Sequence, residues 1–304
     1  MKIITFFSEK GGVGKTSFSI MLASFLKYKY GINVGVADFN KRLADYRKDE
    51  ILYLENAGLL TEEMKENAWP IVQVNKKYVQ EVGANHPGNA IWLHHLITKG
   101  DFKDMDVVIA DLPGAVSGNE FVQLVKTKIV NFVIIPFDKD IQAISAALAV
   151  KNFLSLVPSC KFCGFFNMVQ TAYGNKMEYV NKMDILKTRD LPILPDMVSF
   201  SERMRNFEKA DIIRSTFTYP DWDNPAFSGS RDLGIENLFI DILRELQKVP
   251  DYKGTKPANL SFVDSLEKNT ASLQALNRQL NGTLFPEYEI ELPEDMKIKF
   301  KKNR

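Results

Sequence analysis

Apolar residues in this chain gather in short unbroken runs separated by longer stretches of mixed polarity. That is the pattern of strands buried on both faces with helices laid over them. Ile3-Ile4-Thr5-Phe6-Phe7 is the first run, and Phe18 to Lys29 predicts an amphipathic helix after it. Gly31 stops that helix, and Ile32 to Ala37 predicts a second buried strand ending at Asp38. Val107-Val108-Ile109-Ala110 predicts another, with Asp111 at its carboxyl end. Ile129 to Phe137 follows, interrupted only by Asn131 and expected to end at Pro136, and then Phe162 to Val169. Between Lys41 and Asp106 there is no strong strand signal. Helical patterns cover Ala44 to Asn56, Glu62 to Ala68, Asn89 to Thr98, Ile141 to Leu156, Asn175 to Lys187 and Ile235 to Lys248. Pro192 to Asp196 predicts a short edge strand, and Ser199-Phe200-Ser201-Glu202 is a capping box opening a helix through Glu208. Tyr219 to Gly234 is rich in Pro, Gly and Ser and predicts a loop.

Strands alternating with helices make the fold class α/β, a doubly wound, mostly parallel sheet flanked by helices, over residues 1–250. Residues 251–304 form a C-terminal extension of different composition. A leucine stripe at 266, 273, 276 and 280 predicts a helix over 261–281. Strict alternation predicts a β-hairpin over 287–300, with Leu292 opposite Met296, Ile290 opposite Ile298 and Tyr288 opposite Phe300. A hairpin alone is marginal, so this one is expected to dock on a partner or on the body of the protein.

Composition narrows the partners. Lys and Arg number 39 against 38 Asp and Glu, a net charge of +1, so any contact with nucleic acid has to come from a local patch. Lys182, Lys187, Arg189, Arg203, Arg205 and Lys209 are candidates, although a solvated helix face is the usual explanation of such charge. The chain enters its first strand without a basic, apolar leader, and no apolar run approaches the ~20 residues of a membrane span. A cytoplasmic protein is expected. Cys160 and Cys163 are two ligands short of a zinc site, and His86, His94 and His95 have no ligand spacing to them, so buried thiols are expected.

The stretch between the first strand and the first helix carries the chemistry: Ser8-Glu9-Lys10-Gly11-Gly12-Val13-Gly14-Lys15-Thr16-Ser17. Three glycines let backbone N–H groups wrap an anion, and the helix opening at Lys15 points its free N–H groups at the same spot. Lys15 adds a full charge, and the Thr16 hydroxyl suits Mg²⁺. The fit to G-x-x-x-x-G-K-[ST] requires Glu9 in place of the first glycine.

That variant, with Lys10 ahead of the glycines, resembles the deviant Walker A loop of the ParA/MinD family of P-loop ATPases. The resemblance covers roughly Met1 to Lys248 and implies the P-loop NTPase fold, with ATP and Mg²⁺ as cofactors. It also implies homodimerisation on ATP binding, with Lys10 reaching the neighbour's phosphates in trans. Lys10 to Ser17 would line the nucleotide, and Thr16 and Asp111 would hold the metal. Asp111-Leu112-Pro113-Gly114 resembles Walker B with its switch, Gly114 sensing the γ-phosphate. Asn167, Pro195 and Asp196 fall where relatives contact the base. Asn167 read by itself is also an ordinary turn-starting residue.

The pattern departs at Asp38-Phe39-Asn40, where the family usually has Asp-x-Asp. Asp38 would support the metal or the loop. Asn40 can hold a water but cannot accept its proton, so slow, partner-stimulated hydrolysis is expected. With the catalytic set Lys10, Lys15, Asp38 and Asn40, the implied function is ATP-driven DNA partition or maintenance of a conjugative element, with non-specific DNA as a candidate ligand. One alternative is a MinD-like membrane-positioning ATPase, but the alternating carboxyl terminus does not suit an amphipathic anchor helix. The other is a metabolic P-loop ATPase.

Overall fold

The computed structural model describes residues 1–73, 89–113, 119–168, 176–195, 198, 215–219 and 235–265. Six parallel strands form one sheet: β1 Lys2–Phe6, β2 Val34–Asp38, β3 Ile71–Gln73, β4 Val107–Asp111, β5 Phe132–Phe137 and β6 Lys161–Phe166. Their order across the sheet is β3-β2-β4-β1-β5-β6, so β1 is central and the chain winds outward from it in both directions. The described helices are α1 Lys15–Ser24, α2 Arg42–Asn56, α3 Glu62–Asn67, α4 Asn89–Thr98, α5 Asn119–Lys126, α6 Ile141–Ser155, α7 Lys176–Thr188 and α8 Ile235–Gln247. A π-helical turn, Phe25–Lys29, continues α1.

Strand residues alternate between two apolar layers. Ile3, Phe7, Val108, Val133 and Ile135 pack in one cluster with Leu93, Phe121 and Ala147 from α4, α5 and α6. On the other face Phe6 stacks on Phe18 of α1, which meets Phe165 edge-on, and Phe25 lies against Phe239 of α8. Because both faces are covered, β1, β2, β4 and β5 are buried at every position. Phe18 through Leu26 are all buried as well, and exposure returns only at Lys27 to Lys29 in the π-helical turn, unlike the stripe the sequence predicts.

Strand β3 lies within the stretch that gives no strand signal. It is three half-buried residues on the edge of β2, too short to establish a period. Pro136 does not end β5. It sits within the strand, opposite Phe165 of β6. Ile134 accepts from the N–H of Phe7, so by strand alternation Pro136 also faces the β1 side, where β1 has already ended and no donor is required. Asn131 lies just before β5, which starts at Phe132 rather than Ile129. It serves both neighbours, its Oδ1 accepting from Ile3 N at 2.9 Å and its Nδ2 donating to Pro250 O at 2.7 Å. Of the predicted edge strand, Ile193 forms an isolated parallel bridge to Gly164.

A buried polar knot fixes α2. Glu50 accepts from Ser215 Oγ and Thr216 Oγ1, both at 2.6 Å, while Arg47 donates to Trp69 O and Thr216 Oγ1. Burial lowers the Arg47 pKa to about 10, against the pull of Tyr28 and Glu50.

The first compact unit runs from Met1 to Leu260. Asp251 accepts from the Met1 amino group at 2.8 Å, and the Asn259 N–H donates to Asp106 Oδ1 at 2.9 Å. The second unit is Ser261–Arg304, in which residues 262–265 are helical. The rest of the helix predicted to 281, the hairpin over 287–300 and the capping-box helix lie outside the described residues.

Gly35 of β2 allows Phe102 to lie against the sheet. A Cβ there would meet two ring carbons at 2.6 Å, and Phe102 is wholly buried with nowhere to turn. Gly35→Ala is expected to lower stability by about 1–3 kcal/mol. The loss is read as a reduced urea midpoint with an unchanged slope.

Candidate nucleotide site

The loop between β1 and α1 lies at the carboxyl edge of the sheet, where the strand order reverses around β1 and ligands of open α/β sheets collect. Gly12 and Gly14 have φ of +75° and +90°, and Gly14 is the residue that caps α1. A Cβ on Gly14 would approach Asn167 Nδ2 and Phe18 at 3.1 Å, so this position needs glycine for its backbone and for its neighbours. Val13 is buried, and its carbonyl accepts from Asn167 Nδ2 at 2.9 Å, while Asn167 Oδ1 accepts from Met168 N. Both ends of the Asn167 amide are thus engaged, one of them with the loop itself.

Lys15 is buried and folded back over the loop, its Nζ donating to Ser8 O at 2.9 Å and Lys10 O at 3.0 Å. Burial lowers its pKa, and the charge of Asp111 partly opposes this. Lys10 is turned the other way. Its Nζ lies 2.9 Å from Asp138 Oδ2 and 2.9 Å from Asp140 Oδ2, beyond the end of β5. Burial works against the Lys10 charge, but the two carboxylates outweigh it and raise the pKa.

Asp38 and Asp111 are register partners at the ends of β2 and β4. Asp111 accepts from Thr16 Oγ1 at 3.0 Å and Ser19 Oγ at 3.1 Å, one hydroxyl per oxygen. It is 1% exposed. Burial pushes its pKa up to about 7, the Thr16 and Ser19 hydrogen bonds pull down, and nearby Asp38 pushes up again. Asp38 is also fully buried, its Oδ1 accepting from Asn40 N and its Oδ2 from Leu43 N and Ala44 N at 3.0–3.1 Å. It therefore does the capping of α2 that Lys41, in a left-handed conformation with no side-chain cap, does not do. Burial still raises its pKa despite those donors.

The donor set fits a hydrated magnesium ion and a polyphosphate. Thr16 and Asp111 offer hard oxygens side by side, and among the described residues the cation acting on the buried carboxyl is Lys15, at a distance. The positive-φ glycines lead directly into the start of α1, whose first two residues are Lys15 and Thr16. Asn40 is half-buried beside Asp38, Ser17 is half-buried in the first turn of α1, and Gly11 is exposed. Pro195 is exposed, two residues past the edge bridge from Ile193 to Gly164 of β6. Gly114 and Asp196 lie outside the described residues. Cys160 and Cys163 are buried free thiols, burial raising the Cys160 pKa to about 12.

Four participants lie outside the Lys10 to Ser17 motif. Ser8 supplies a carbonyl to Lys15, and Ser19, the lone hydroxyl within Phe18 to Ala23, holds Asp111. Asp138 and Asp140 hold Lys10. Their signal is the same as that of Asp38 and Asp111, an acid just past the carboxyl end of a buried strand.

A carboxyl whose folded pKa is raised to about 7 costs stability as pH climbs from its ordinary value near 4, the cost being complete above pH 7. The unfolded chain binds fewer protons than the folded one over that window, so stability falls with pH. Asp111→Asn is therefore expected to raise the Tm of the nucleotide-free protein at pH 8, the difference from the parent vanishing near pH 4. A thermal unfolding series across that range checks both limits.

No family model and no curated protein sequence matches this chain. Solved structures do. MinD from Aquifex aeolicus superimposes with a TM-score of 0.50 at 19% identity, over 84% of this chain and 100% of that one. A putative plasmid partition protein from Borrelia burgdorferi, bound to AMPPNP, gives 0.52 at 18% identity, over 80% and 99%. MinD from Pyrococcus horikoshii, complexed with Mg-ADP, gives 0.52 at 16% identity, over 83% and 99%. The fold of this chain is thus the P-loop NTPase fold of MinD and the plasmid partition proteins, with the glycine loop, Asp38 and Asp111 at its sheet edge.

Proposed function

We propose that this protein is a ParA-like ATPase with a deviant Walker A loop. It would dimerise on ATP and serve DNA partition or the maintenance of a conjugative element. The observation that carries the reading is the pairing of Thr16 with Asp111 at the mouth of a glycine loop whose Lys15 already bridges two loop carbonyls. Each of those contacts is made to a group that a magnesium-bound triphosphate can replace. The relatives in fold support ATP and Mg²⁺ as ligands, since one was solved with AMPPNP and another with Mg-ADP. A further neighbour in fold is a MinC:MinD complex, which supports a partner protein for this chain.

In this reading Lys15 would leave Ser8 and Lys10 for the phosphates, the glycine-loop N–H groups would share their charge, and Thr16 and Asp111 would hold a magnesium ion, whose contribution would be charge neutralisation at the γ-phosphate. Asp38 keeps the start of α2 in place, so that Asn40 borders the site. Asn40 orients a water without taking its proton, and turnover is slow until a partner completes the site.

Two outcomes test this. The parent protein is expected to turn ATP over well below the ~10 per second typical of enzymes. Asn40→Asp should speed it by up to roughly 100-fold. Several turnovers per second in the unstimulated parent would contradict the assignment of Asn40. For the output, DNA retention measured without nucleotide, with ADP and with ATP at two salt concentrations should appear only with ATP, weaken with salt and vanish in Lys15→Ala. Co-sedimentation with anionic liposomes in place of DNA would favour positioning at a membrane surface instead.

A further inference from the structure

We propose that Asp138 and Asp140 form an intramolecular latch that holds Lys10 against its own subunit in the unloaded monomer. The lysine then becomes available to a second copy of this chain only when both ion pairs are given up. The inference rests on the ATP-dependent dimer proposed above and adds a control to it.

The two carboxylates are prepared for this one cation. Asp138 uses Oδ1 to accept from Asp140 N at 2.9 Å, and Asp140 uses Oδ1 to accept from Gln142 N at 3.0 Å as the cap of α6. Each therefore keeps its Oδ2 for Lys10, at 2.9 Å in both cases. The turn carrying them is pinned from α7 as well, where Lys182 Nζ donates to Lys139 O at 2.7 Å. An ordinary surface ion pair is weak because two long side chains must be ordered to make it. Here the acids are ordered by the backbone before the lysine arrives, so only Lys10 loses freedom.

The other end of Lys10 is tied too, since its carbonyl accepts from Lys15 Nζ. Both lysines of the loop are thus satisfied within one subunit, Lys10 on the β5 side of β1 and Lys15 between the loop carbonyls. A triphosphate that draws Lys15 away removes one tie, and its negative charge competes with Asp138 and Asp140 for the other. Side-chain exposures of 30%, 23% and 45% for Lys10, Asp138 and Asp140 keep the latch reversible, because water resolvates all three groups when it opens. Apparent affinity for the second copy is then reduced by the fraction of molecules whose latch is closed.

The test is the double variant Asp138→Asn with Asp140→Asn, which keeps the turn and the helix cap because Asn accepts the same N–H bonds, but removes both charges. Acetylation of Lys10 by acetic anhydride, followed by mass spectrometry on nucleotide-free protein, should be several-fold faster than in the parent. Sedimentation with ATP should show association at roughly 3- to 10-fold lower protein concentration, with no association in ADP. Unchanged acetylation of Lys10 overturns the latch. Faster acetylation with unchanged or weaker association overturns its control of dimerisation. A parent that fails to associate with ATP at all overturns the dimer itself, a result the acetylation rates distinguish from failure of the latch. If the double variant does not fold, Asp138→Asn alone leaves the α6 cap untouched and gives the same readings at smaller size.

Discussion

A carboxylate buried at the end of a central strand, with another carboxylate as its register partner, is the constraint around which this molecule is built. Among the described residues Asp111 has two hydroxyls, from Thr16 and Ser19, and no cation in contact. Moving a carboxyl into such a place is unfavourable, and the rise of its pKa to about 7 measures that cost. The arrangement persists because everything around it is over-determined. The strand is buried on both faces, Thr16 and Ser19 project from one turn to the next of a helix whose middle is wholly buried, and Asp38 is fixed by three backbone N–H groups of the α2 start.

The glycine loop is ordered by its own bonds. Lys15 binds the carbonyls of Ser8 and Lys10, Asn167 binds that of Val13, and the missing Cβ of Gly14 lets Asn167 and Phe18 close in. Preorganisation of this kind means that the loop's backbone is ordered without any ligand, its shape set by bonds within the chain.

Charge at the sheet edge is divided on either side of β1. Asp38 and Asp111 end the strands on one side, and Asp138 and Asp140 follow β5 on the other. Lys15 feels the first pair through Asp111, and Lys10 is held by the second. The same central strand thus delivers two lysines, five residues apart, to two opposite acidic neighbourhoods.

The order of strands and helices, the glycine loop and the acids at strand ends were legible in the sequence because each is a local signal: a buried run, a positive-φ requirement, a polar residue closing an apolar stretch. Asp38, Asp111 and the Lys10 to Thr16 loop could be named on that basis. What tertiary structure decided was which of these groups meet. Lys10 finds its partners 128 and 130 residues away, and Ser19, inside the apolar run Phe18 to Ala23, reaches Asp111 only because α1 packs over β4. Asn167 turned out to hold the loop. Pro136 could stay within β5 because its nitrogen faces the side where β1 has already stopped and no donor is needed, and β3 was invisible because three half-buried residues acquire strand character only from β2 beside them. A sequence specifies what each segment can bury and where its backbone can turn. Which polar groups are left facing one another depends on packing across the whole sheet.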